Sequence, residues 1–302
     1  MIEEGTPDLV QQLLLWGLAV PAVWALVAWA IVLVTARGEK ATGRSWMAAV
    51  AFAGAASIVQ WKILAWPDIP PTESFGWIPW LILGGAVLGL FEGAWPKGWW
   101  LHGLLKVAAA GALAPLLLNG PIVEYEWRDE LGWSDDEVRN RFVLLGGLAA
   151  AFWIGLDWMA RVNRGRWGTL GLGLIVGASS GVLMHNENAK LAQLVGGLGA
   201  AIGVTYLMSL WRPQLSLVRG GVAVAGAGLL ACFIGGYHFA YNRQEWPYLI
   251  LVGSPWVMLI AGWLLQKRQG IGWAIARLVL FLAPCVGALV WAVINAPEPS
   301  GY

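Results

Sequence analysis

Charge is scarce in this chain. Asp, Glu, Lys and Arg make up only 12% of its residues, about half of the ~25% usual in a soluble domain. That shortage excludes a fold wetted over its whole surface. Cysteine is nearly absent as well. Cys232 and Cys285 both lie inside apolar stretches, with no His or Cys at ligand spacing, so zinc and thioredoxin-like motifs are excluded. No glycine loop ends in Lys-Ser/Thr, and no H-E-x-x-H occurs, which removes the common nucleotide-binding and zinc-protease signatures. The start, Met1 to Asp8, is acidic rather than basic, unlike a cleaved secretory signal. The basic residues are scattered over short loops and form no broad patch, so nucleic acid is not an expected partner.

What is present is grease, in regular runs. Hydrophobic residues form 58% of the chain. Ten stretches carry no charged residue, the first between Asp8 and Arg37 and the last between Arg277 and Glu298. A membrane-spanning helix needs about 20 mostly apolar residues to cross ~30 Å of hydrocarbon. The expected fold is therefore all-α: a polytopic integral membrane protein of about ten transmembrane helices. The whole chain, residues 1–302, forms a single bundle domain, because no loop is long enough to fold by itself. The longest loop is an acidic one, 119–140. The expected partners are membrane lipids.

Alternating the loops places 13 of the 19 basic residues on one side, counting Lys106 and Arg277 just inside helix ends. Loops rich in Lys and Arg stay cytoplasmic. Both termini and the 119–140 loop are then extracytoplasmic, and the plasma (inner) membrane is the expected location. Many of the 22 tryptophans fall at run boundaries, among them Trp61, Trp95, Trp100, Trp211 and Trp246. Indole prefers the headgroup layer, so these read as anchors.

Glycines repeat at four-residue spacing, as Gly173–Gly177–Gly181 in the sixth helix and Gly199–Gly203 in the seventh. Small residues at this spacing let helices approach closely in lipid, and packing within one bundle is the expected use. Pro21, Pro115, Pro255 and Pro284 interrupt spans and should kink them.

Chemistry is harder to place. No charge falls at the middle of a span. Lys106, Asp157 and Arg277 lie within about two turns of the cytoplasmic boundary, where long side chains can snorkel. Asp157 and Arg161 have the spacing of an ordinary i,i+4 pair. Gly177–Ala178–Ser179–Ser180–Gly181 matches G-x-S-x-G, but a nucleophile elbow needs a strand-to-helix turn, and here an apolar helix surrounds it. Packing explains the pentapeptide, and no catalytic activity is expected.

Two polar regions are the candidate binding sites. One gathers His185 and Glu187 after the sixth helix and His238 after the eighth. These could meet a divalent ion, but their spacing is no metal signature, so no metal and no cofactor is expected. The other is the acidic loop, with Glu124, Glu126, Asp129 and Glu130 as a possible docking surface for a protein partner. Further along, Ser134 and Glu137 form the S-x-x-E capping box, Asp135 and Asp136 suit a helix's first turn, and Glu137 and Arg141 stand four apart. Helix five should begin at Ser134.

The leading functional expectation is a transporter- or permease-like protein for a small or lipophilic solute. The alternative is a non-catalytic membrane scaffold or assembly protein that binds partners or lipids.

Overall fold

The computed structural model describes residues 9–35, 46–69, 71, 73–95, 98–124, 133–212, 220–240, 244–268 and 270–296. Among them there is no strand. Among the described residues, ten helices are long and apolar enough to cross a membrane. They are α1 (Gln11–Val34), α2 (Met47–Leu64), α3 (Ser74–Ala94), α4 (Trp100–Leu118) and α5 (Asp135–Val162). The second half holds α6 (Arg166–His185), α7 (Ala189–Trp211), α8 (Gly221–His238), α9 (Glu245–Leu265) and α10 (Ile271–Ile294). The ten charge-free runs map one to one onto these helices.

Burial is far from uniform. α8 is the centre: 94% of its apolar window is buried, against 22% for α10. The reason is compositional. α8 is built from Gly, Ala and small aliphatic residues, so neighbours can close on every side. Gly85 and Gly89 of α3 meet it backbone to backbone. A Cβ on Gly89 would sit 2.6 Å from the Gly220 carbonyl oxygen, and one on Gly85 would sit 2.9 Å from that of Ala223. Gly220 itself has φ +98°, a conformation that favours glycine. Gly93 extends the same stripe against Trp46. This Gly85–Gly89–Gly93 stripe is tighter than either expected one. Gly173 does face Ile202 of α7, and Gly199 faces Val176 of α6. Gly181 instead meets Leu289 of α10.

The helix interruptions have local causes. A π-helical turn, Leu15–Ala19, precedes Pro21, where the proline ring cannot accept a regular preceding turn. In α9, Pro255 donates nothing to the Leu251 carbonyl. The buried Ser254 hydroxyl donates to that oxygen instead, at 2.6 Å.

The start of α5 is as expected. Ser134 caps it, its side chain accepting from the Glu137 amide while the Glu137 carboxylate accepts from the Ser134 amide at 2.8 Å. One detail goes beyond it: Arg141, four residues after Glu137, lies over the Trp133 ring at 3.9 Å. The loop is also shorter than its composition implied, because helix continues from Trp99 to Glu124.

The outward faces carry large apolar side chains, and Trp61, Trp95, Trp100, Trp211 and Trp246 are all exposed. That is the pattern of anchors at a membrane surface. Trp29 and Trp153 are buried in the bundle. The Trp29 indole donates to Thr205 of α7 at 2.8 Å.

Candidate functional site

Three charged side chains meet where α3, α4 and α5 come together. Glu92 sits in the last turn of α3. Lys106 lies about two turns into the helix that begins at Trp99, and Asp157 about one and a half turns before the end of α5. All three are buried, with Lys106 only 2% exposed. The Lys106 ammonium donates to Asp157 Oδ1 at 2.8 Å and Oδ2 at 2.7 Å, and it lies 2.5 Å from Glu92 Oε1. An ammonium has three donors, and here three carboxylate oxygens receive them.

This overturns two expectations. Lys106 does not snorkel, because its charge is enclosed by protein. Asp157 does not take Arg161 as its partner; it takes Lys106 from the neighbouring helix. Arg161 is exposed at the rim.

Charges within the triad do not cancel. Two carboxylates face one ammonium, which leaves one excess negative charge when all are ionised. Glu92 Oε2 is buried and has no hydrogen-bond partner among the described residues. The same holds for Nε2 of His102, which is one turn from Lys106 on the same helix. The His102 ring packs edge-on to Phe91 at 5.5 Å. The cluster therefore contains an unpartnered carboxylate oxygen and, one turn from Lys106, an unpartnered imidazole nitrogen, beside a net charge. A carboxylate with a free oxygen can take up a proton.

A second buried cluster sits near the end of α5. Asn163, fully buried, donates from Nδ2 to the Met258 carbonyl at 3.1 Å. Its Oδ1 accepts from the Arg277 guanidinium. Arg277 also lies 4.8 Å from the Trp167 ring centre. Gly262 makes room for this contact, since a Cβ there would collide with the Asn163 side chain.

The sequence-derived candidates are dispersed. His238 is buried and lines a groove between α5, α8 and α9. Glu187 is exposed and lines a different cavity of about 580 Å³ with Glu73 and Lys190. His185 is exposed at the end of α6. Among the described residues, no three His, Cys, Asp or Glu side chains are grouped to hold a metal ion. The asparagines of this segment do the structural work. Asn186 donates to the Tyr248 hydroxyl at 3.0 Å, and Asn188 donates to the Gly236 carbonyl at 3.1 Å. Together they tie the α6–α7 turn to α8 and α9. Of the acidic loop, Glu126, Asp129 and Glu130 lie outside the described residues, as does the side chain of Glu124.

The serines of the Gly177–Gly181 pentapeptide are both used by backbone. Ser179 donates to Ile175 in its own helix at 2.6 Å, and Ser180 donates to Ala192 of α7 at 2.8 Å.

No protein-family model, curated protein or solved structure matches the chain.

Proposed function

We propose that this chain is an integral membrane protein of transport type, moving a small or lipophilic solute across the plasma (inner) membrane, with both termini extracytoplasmic. The observation that carries the reading is the Glu92–Lys106–Asp157 triad. Ionisable groups sequestered within a membrane bundle are costly, and they mark ion or substrate pathways. A pure helix clamp gains nothing from excess charge, because apolar residues of equal volume often hold helices as well or better. An excess carboxylate with an unpartnered oxygen suits a step in which a proton or cation binds and leaves. The proline-containing helices and the π-helical turn Leu15–Ala19 supply places where segments can shift.

The direct test is flux. Purified protein in liposomes is challenged with a broad solute panel, alongside a deletion strain assayed for uptake and export. At least one solute is expected to move, and Glu92→Gln is expected to stop it while the protein stays folded. A panel with no movement, together with normal uptake and export in the deletion strain, rules the reading out. Orientation is tested separately. A thiol probe that cannot cross the membrane should label Asp135→Cys and not Gly38→Cys.

A scaffold that holds partner proteins is the second reading. It rests on the exposed acidic first turn of α5, Asp135 to Glu137. Native purification without a stoichiometric partner counts against it.

A further inference from the structure

The groove holding His238 is apolar along its length and charged at one end. Its volume is about 250 Å³. Leu144 and Leu148 of α5 face Leu249 and Val252 of α9, and Phe233 of α8 lines it between them. Leu144 and Leu249 are exposed large apolar residues, so the groove opens on the face that meets hydrocarbon. From Arg141 to Ala149, both lining residues, it runs about 12 Å along α5.

The charged end lies where α5 and α9 begin and α8 finishes. Arg141 stands on the α5 wall and Glu245 on the α9 wall. Neither forms an ion pair among the described residues. Arg141 is stacked on Trp133 at 3.9 Å. Glu245 accepts a hydrogen bond from the Tyr237 hydroxyl at 2.7 Å. A cation and an anion thus flank one opening without neutralising each other.

We infer that this groove binds a zwitterionic phospholipid, with its phosphate against Arg141, its amine against Glu245 and one acyl chain along the apolar walls. Charge complementarity selects that head. An anionic lipid such as phosphatidylglycerol would bring the same phosphate but no cation, leaving Glu245 unmatched and the negative charge beside the acidic turn Asp135–Asp136–Glu137 uncompensated. A cationic amphiphile would leave Arg141 unmatched. Arg is suited to phosphate because its planar donors engage two oxygens together. The site is independent of the triad and of whether any solute moves.

The test reads bound lipid. Protein purified in mild detergent is analysed by native mass spectrometry with lipid identification, then delipidated and returned to nanodiscs of phosphatidylethanolamine or phosphatidylglycerol. Wild type is expected to retain one phosphatidylethanolamine-type lipid. Arg141→Gln should weaken retention roughly tenfold. Leu249→Trp, which fills the groove from its open side, should do the same with an unchanged unfolding temperature. Retention of phosphatidylglycerol in preference overturns the inference. So does wild-type retention by both variants, or a wild type that keeps no lipid in either nanodisc.

Discussion

Lys106 and Arg277 enter the bundle near the same end of α5 and are held in opposite ways. Lys106 is enclosed and surrounded by carboxylate oxygens. Arg277 is half-buried and meets the neutral oxygen of Asn163 and the faces of Trp167 and Phe281. The difference follows from the cations. An ammonium is a compact, strongly hydrated charge and needs anions once water is removed. A guanidinium is planar and weakly hydrated, so an amide oxygen and a ring can serve it. Both arrangements carry net charge, one negative at the triad when all are ionised and one positive at Arg277. A guanidinium does not give up its proton in a protein, so Arg277 reads as a fastener between α10 and the end of α5, whereas a carboxylate can take one up, and the triad is the element with chemistry left over.

The two sites should respond differently to substitution. The largest effect is expected at Lys106→Met, which leaves two buried carboxylates facing each other. Loss of one partner of a buried pair costs about 3–5 kcal/mol, so little folded, monodisperse protein should survive size-exclusion chromatography. Asn163→Ala comes next. It strips a partner from a half-buried guanidinium, at about 1–3 kcal/mol, visible as a lower unfolding temperature in micelles. Arg277→Lys should cost about 1 kcal/mol, because the ammonium cannot both reach Asn163 and lie flat over Trp167. If Arg277→Lys is as damaging as Lys106→Met, the contrast between the two cations is wrong. The smallest stability change, under about 1 kcal/mol, is expected for Glu92→Gln, which keeps the shape and removes the excess charge. Its flux should nevertheless be lost.

The helices were legible because each hydrophobic run is bounded by charges or polar turns, a signal that a bilayer imposes on sequence. The Ser134 cap was legible because both of its residues lie within one turn. The triad was not. Glu92, Lys106 and Asp157 each resemble an ordinary residue near a helix end, and they come from three different helices. One signal did exist: they stand at similar depths from the same boundary on consecutive antiparallel helices, where side chains at equal depth can meet. The separation of the polar candidates has a related reason. His185 and Glu187 follow α6 and His238 ends α8, and the chain tightens around Asn186 and Asn188, which leaves Glu187 with φ +60° on an exposed turn. Glycine spacing identified α6 and α7 packing in part. It missed α3, where Gly85 and Gly89 bring the Glu92 helix against α8 and Gly93 brings it against Trp46.

The most direct measurement replaces the whole triad by apolar residues of similar volume, Glu92→Met with Lys106→Met and Asp157→Leu, and follows unfolding temperature and solute flux in the same preparation. With all three charges gone, no buried ion is left unpaired, so the bundle should be as stable as wild type or more so. The account predicts that this stable protein moves no solute. Flux equal to wild type would contradict it, and would reduce the triad to a clamp between three helices.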